Sequence, residues 1–248
     1  MSANSICEYL EWDSGFFGRR IARASISSLT KESLVEIDAW CGLHRIDCLY
    51  FLASSSDRCT AKLAEENMFR FVDVKTTLDL QVEKSRGGNP QGSVIRTAAE
   101  NDISALRALA RSGHRDSRFY YDGNFPEALC DELYATWIEK SCRGWARNVF
   151  VAEEGGAIEG YLTCHLSSSE CGQIGLVGVA EKAQGKGIGT QLVSSAVRWF
   201  SQQGTNNISV VTQGRNVRAQ RLYQKCGFAT RSVELWFHRW FPEKGEPQ

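Results

Sequence analysis

The 248-residue sequence is defined first by what it does not have. Its 29 Lys and Arg balance 29 Asp and Glu, so it carries no net charge. That removes the bulk electrostatic footprint of a nucleic-acid surface, and no nucleic-acid partner is expected. No apolar run approaches the about 20 residues that a membrane span requires. The Met1–Ile6 start has neither the basic nor the apolar region of a secretion signal. A cytoplasmic location without membrane insertion is therefore expected. Cysteine pairs at metal or redox spacing are missing too. The nine cysteines are odd in number, contain no Cys-x-x-Cys, and are not grouped with the four histidines. Neither a disulfide framework nor a metal site is expected. Cys48, Cys142 and Cys164 lie in apolar runs, where a reduced thiol acts as a small hydrophobe.

What is present centres on residues 171–190. An apolar, β-compatible run, Ile174–Val179, leads into Gln184-Gly185-Lys186-Gly187-Ile188-Gly189-Thr190. Beyond it Leu192, Val193, Ala196, Val197 and Phe200 recur at helical spacing. Strand, glycine loop and helix together aim backbone N–H groups and the positive end of a helix dipole at an anion. Glycines let a phosphate reach the backbone. The Gln184–Thr190 cradle has no carboxylate and no P-loop Lys-Ser/Thr, so a metal-bound nucleoside triphosphate is not the expected ligand. Its spacing also differs from the dinucleotide fingerprint. Taken alone, the same residues also suit a flexible turn before an amphipathic helix.

A second stretch, Asn216-Val217-Arg218-Ala219-Gln220-Arg221-Leu222-Tyr223-Gln224-Lys225-Cys226-Gly227-Phe228, reads as a helix capped by Asn216 and closed by Gly227. The Gln184-x-x-Gly187-x-Gly189 spacing resembles the acyl-CoA signature of the GCN5-related N-acetyltransferases (GNAT), and the Asn216–Phe228 stretch resembles that family's second signature. The resemblance implies an α/β (α+β) GNAT acyl-CoA N-acyltransferase fold with a mixed central sheet, and acetyl-CoA as co-substrate without a metal. It assigns the cofactor to Val177, Val179, Gln184, Gly185, Lys186, Gly187, Ile188, Gly189, Thr190 and Asn216. Val179 stands at the strand position whose backbone N–H polarises the thioester in that family, and Tyr223 is the proton donor to the leaving thiolate. Tyr223 packing beneath the cofactor is the alternative.

The chain order supports a division. Residues 85–93, Ser-Arg-Gly-Gly-Asn-Pro-Gln-Gly-Ser, form the one clear linker, with its core at 86–92. Residues 93–248 give the order β-α-α-β-β-β-α-β-α-β expected of a complete acetyltransferase domain. Residues 1–85 give an entry segment (6–26, strands and turn around Trp12–Gly18), then helix, strand, helix, strand. An offset of 159 residues carries Asp57 onto Asn216, Leu63 onto Leu222 and Phe69 onto Phe228, while Ala64 meets Tyr223 and Met68 meets Gly227. Two explanations fit: a smaller degenerate GNAT-like half that lost its cofactor chemistry, or a generic αβαβ pattern.

Acetyl transfer to an amine requires a polarised thioester carbonyl, a neutral amine and a protonated leaving group. Glu170, Glu153, His165 and Asp122 are candidate bases, and a water chain would also serve. A narrower resemblance rests on Leu10–Gly18, Asp116–Tyr120, Trp137-Ile138-Glu139 and Gly160-Tyr161-Leu162. These are similar to GNAT enzymes acting on a dTDP-linked 4-amino-4,6-dideoxyhexose in surface-polysaccharide synthesis. The implied partner is a small-molecule nucleotide amino-sugar, in a monomer or a homodimer. Arg118 is the candidate for its charged part, with Phe119, Tyr120 and Tyr121 shaping the sugar or base pocket; each equally suits a packing role. A protein N-terminus, lysine or small amine as acceptor, or a non-catalytic acyl-CoA-binding module, are the competing functions.

Overall fold

A computed structural model describes residues 5–82, 94–168 and 170–242. The elements up to the first gap are β1 (Cys7–Tyr9), α1 (Glu11–Phe17), β2 (Ile21–Ala24), α2 (Lys31–Leu43), β3 (Cys48–Ser54), α3 (Arg58–Glu66) and β4 (Arg70–Gln81). Then follow β5 (Val94–Thr97), α4 (Ile103–Gly113), α5 (Arg118–Asp122), α6 (Glu127–Lys140), β6 (Asn148–Glu154) and β7 (Ala157–Leu166). The chain continues with β8 (Cys171–Val179), α7 (Ile188–Gln202), β9 (Asn207–Gln213), α8 (Val217–Lys225) and β10 (Ala229–Trp240). The linker expected at 86–92 lies outside the described residues. Among the described residues no helix is long and apolar enough to cross a membrane.

Two compact units result. One gathers Met1–Lys75, Ser117–Leu129 and Val233–Gln248; the other gathers Thr76–Asp116 and Cys130–Ser232. The N-terminal unit thus ends at Lys75, short of the expected boundary at 85, and takes in two later segments. In it β1, β2, β3 and β10 lie in that order. β2 runs parallel to β3, and β10 runs antiparallel to it from Glu234↔Ser54 to Trp240↔Cys48. Its core includes Leu34, Ile37, Leu49, Phe51, Phe69 and Phe237. In the second unit the order is β4, β9, β8, β7, β6, β5, over a core that includes Leu162, Ile174, Leu192, Phe200, Val210 and Phe228.

The 159-residue offset holds in the backbone. It carries β3 onto β9, α3 onto α8 and β4 onto β10 residue for residue, and places α2 inside α7. Capping repeats as well: Asp57 accepts the Thr60 N–H at 3.0 Å, and Asn216 accepts the Ala219 N–H at 3.0 Å. Each copy ends its helices on a left-handed residue, Arg45 (φ 52°) and Met68 (φ 61°) in the first, Gly204 (φ 80°) and Gly227 (φ 92°) in the second. The N–H groups that follow bond back five residues at 3.0 Å, Ile46 to Cys41 and Phe69 to Ala64, then Thr205 to Phe200 and Phe228 to Tyr223. This is the Schellman closure, which satisfies carbonyls a helix end leaves open.

One local expectation is corrected. Residues 11–17 form the helix α1 where strands and a turn were read. Trp12 and Phe16, one helical turn apart, stack at 5.1 Å, and Gly18 closes the helix in the left-handed region. Ser14 then bonds through its hydroxyl to both the N–H and the carbonyl of Ile21, at 2.9 and 3.2 Å. The sequence pattern of seven residues was too short to separate the two readings.

Candidate functional site

β8 lies between β7 and β9. The antiparallel ladder with β7 accompanies it to its end at Gly160↔Val179. The parallel ladder with β9 stops at Ile174↔Val210. Past that point the two strands part, and Val177, Gly178 and Val179 line a cleft of about 620 Å³. A strand edge released from its neighbour keeps backbone donors and acceptors at ladder spacing, ready for an extended ligand.

The cradle closes one end of the cleft. Gly185 and Gly187 have φ values of 82° and 84°, where a Cβ is disfavoured, and Gly187 is the N-cap of α7. The N–H groups of Ile188, Gly189 and Thr190 fall in the first turn, which has no intrahelical acceptors for them. Gln184, Gly185, Gly187, Gly189, Thr190 and Asn216 all line the cleft. Gln184 donates to the Val179 carbonyl at 3.2 Å and accepts from Arg218, which ties the loop to β8 and α8. Two of the expected side chains point elsewhere. Ile188 is buried in the core, and exposed Lys186 pairs with Glu154 at 3.4 Å. Arg215, Arg218 and Lys225 add positive charge to the cleft. The donor set suits a pyrophosphate held without a cation.

Tyr223 reaches the cleft from α8 and is 4% exposed. Burial raises its phenol well above the ordinary tyrosine range, so it stays protonated and able to donate. Gly113, at the end of α4, and Asp116, just beyond it, also line the cleft. Between them His114 turns inward, its Nε2 2.7 Å from the Tyr161 hydroxyl and its ring stacked on Tyr134 at 4.3 Å. Burial lowers His114 to about 4, so the ring is neutral. Gly113 and Arg215 lie outside the motifs read from the sequence; Asp116 and Lys225 lie within them, but sequence reasoning gave neither a place in the cleft.

The expected acceptor residues belong to the other unit and are placed by its own contacts. The Arg118 guanidinium lies 4.3 Å from the Trp236 ring, 4.4 Å from Phe119 and 4.8 Å from Tyr50. Its Nε donates to His238 Nε2 at 3.2 Å. His238 in turn donates from Nδ1 to Asp122, which also accepts the Trp240 indole N–H at 3.0 Å. Burial pushes His238 down to about 4, which leaves Nε2 free to accept from Arg118. Burial would raise Asp122, but bonds from His238, Trp240 and Asn124 outweigh it and hold the carboxyl below its usual range. Phe119 is buried and Tyr121 half exposed, with Tyr120 between.

Of the expected bases, Asp122 is thus committed to its network, and Glu153 accepts from Arg96 at 2.8 Å. His165 is lowered by burial, with a bond to the Trp145 backbone opposing. Glu170 is exposed beside a strand end. Among the described residues no group of three or more His, Cys, Asp or Glu is arranged to hold a metal.

Residues 112–228 match the acetyltransferase (GNAT) family. The chain is 28% identical over 242 residues to the dTDP-fucosamine acetyltransferase of Escherichia coli O6:H1, covering 96% of this chain and 100% of that one. It is 29% identical over 139 residues to the spore coat polysaccharide biosynthesis protein SpsD of Bacillus subtilis, where it spans 48% of the relative's length. A solved GCN5-related N-acetyltransferase from Sphaerobacter thermophilus has the same fold, with a TM-score of 0.67 at 15% identity over 94% of this chain and 76% of that one.

Proposed function

We propose that this chain, whose residues 112–228 match the acetyltransferase (GNAT) family, moves the acetyl group of acetyl-CoA onto the 4-amino group of a nucleotide-linked 4-amino-4,6-dideoxyhexose, dTDP being the nucleotide. The observation that carries the donor half is the parting of β8 from β9 beside a glycine-rich cradle. In this reading the N–H groups of residues 185–190 take the pyrophosphate, and Asn216 borders it. The open edge at Val177 and Val179 receives the pantetheine arm and polarises the thioester carbonyl. The amine attacks that carbonyl directly. As the carbon–sulfur bond breaks, Tyr223 gives its phenolic proton to the thiolate, a role that its buried, protonated state supports.

The acceptor half rests on the likeness along the whole chain to an enzyme named for dTDP-fucosamine, joined by a polysaccharide-biosynthesis relative. Arg118 supplies the charged contact. Its ring neighbours and His238 hold the guanidinium plane, which suits bidentate recognition of a diphosphate. The test is mass-spectrometric detection of acetyl transfer across dTDP-, UDP- and GDP-linked 4-amino sugars, the free amino-sugars and a lysine peptide. A dTDP-linked 4-amino sugar is expected to have the highest kcat/KM. Equal values for the nucleotide and the free sugar would remove the diphosphate from recognition and move the assignment to a small-amine acceptor.

A further inference from the structure

Asp116 is the one carboxylate among the residues lining the cleft. The other charged groups lining the cleft are all cations, Arg215 from the turn before α8 and Arg218 and Lys225 from α8 itself, and Tyr223 is the other titratable group. A space built to attract phosphates gains nothing from a carboxylate as far as the donor is concerned. What a carboxylate does attract is the second reactant, a protonated amine. Asp116 is half-buried and has no hydrogen-bond or ion-pair partner among the described residues, so its oxygens are available to a ligand.

Its position is fixed by its neighbours. Arg115 is held by Asp131 at 3.2 Å. His114 is pinned to the Tyr161 hydroxyl, and the Tyr161 ring lies against Gly178, where an added Cβ would meet it at 2.5 Å. Gly178 belongs to the β8 wall of the same cleft. The end of α4 is therefore tied through His114 and Tyr161 to the strand that would present the thioester, and Asp116 follows two residues later.

We propose that Asp116 is the catalytic base, receiving the acceptor ammonium inside the cleft and removing one proton before attack. The proposal rests on the acetyl-CoA-dependent amine acetylation proposed above. The ammonium N–H bond breaks, its proton passes to the Asp116 carboxylate, and the nitrogen recovers its lone pair. That pair forms the new bond to the acetyl carbon, the carbon–sulfur bond breaks, and the sulfur takes the Tyr223 proton. The tyrosinate then recovers a proton from the nitrogen, which becomes the neutral amide. Asp116 releases its own proton to water, so one ammonium and one thioester give amide, thiol and one proton.

The experiment compares wild type with Asp116→Asn in the full chain, by calorimetry with acetyl-CoA and by steady-state kinetics from about pH 7 to 9.5. Binding within about twofold of wild type is expected, with acceptor kcat/KM at neutral pH lower by about 100-fold or more. The deficit should narrow as pH rises, because the free amine then sheds its proton in solution. Asp116→Glu should recover part of the loss. An Asn variant within about threefold of wild type at neutral pH overturns the proposal, as does a loss that does not change with pH. If neither Asp116→Asn nor Asp116→Ser binds acetyl-CoA, Asp116 supports the fold or the donor and the proposal also falls. Wild-type protein that acetylates no amine would sink the underlying functional reading instead, a distinguishable outcome.

Discussion

Residues 31–81 and 190–240 share one skeleton and do different work. Helix, strand, helix and strand fall at the same offset, with the same side-chain cap and the same closures. The second copy has the cleft; the first has a packed core. At one aligned position the first copy has Ala64, fully buried, and the second has Tyr223 at the cleft. At another, the backbone turns left-handed in both copies, yet only the second has glycine there. The architecture is thus maintained by capping and apolar pattern, whereas the cleft is made by a few residues placed where two strands part. The last strands are also exchanged. β10 neighbours β3 of the first copy, and β4 neighbours β9 of the second, so neither copy completes its sheet alone.

The comparison breaks most sharply at Tyr223. Tyr223→Phe removes only the hydroxyl, and turnover is expected to fall by about 100- to 10,000-fold with acetyl-CoA affinity unchanged by calorimetry. The converse change, Ala64→Tyr, should add no activity to that of the intact cleft and should destabilise by about 1–3 kcal/mol from overpacking, read by urea unfolding. A Tyr223→Phe enzyme near wild-type turnover, with chemistry limiting the rate, would take the donor role away from Tyr223.

The caps sharpen the contrast. Asp57→Ala and Asn216→Ala should each cost about 1 kcal/mol in stability. Only Asn216→Ala should also weaken acetyl-CoA, because Asn216 borders the cleft. Equal affinities for the two variants would show that Asn216 serves its helix alone. The smallest effect lies at the left-handed turns. Met68 is exposed at φ 61°, and Met68→Gly is expected to stabilise by about 0.5–1 kcal/mol, with a raised Tm, by relieving a conformation that side chains resist. Gly227→Met should shift stability the opposite way.

Much of this was legible in the residues. The glycine spacing at 184–189, the Asn216 cap and the 3.6-residue apolar pattern of α7 are local signals, readable because each reflects interactions within a few residues. The repeat could be read for the same reason, since Asp57 and Asn216 cap without help from distant segments. The α1 helix could not, because it depends on Ser14 bonding to Ile21 and on aromatic packing with little periodicity to announce it. Arg118 was singled out from its motif, but its cage of Tyr50 and Trp236 joins residues far apart in sequence.

The sequence by itself determined the family of elements, their caps and the residues able to cradle a pyrophosphate. The tertiary structure decided that β9 leaves β8 after Ile174, which of the cradle residues line the cleft, and that Asp116 lines it with them. It also decided that Ile188 serves the core. The reason is range: caps and amphipathic helices are set by neighbours three to five residues apart, whereas a cleft exists only where strands distant in the chain pair and then separate.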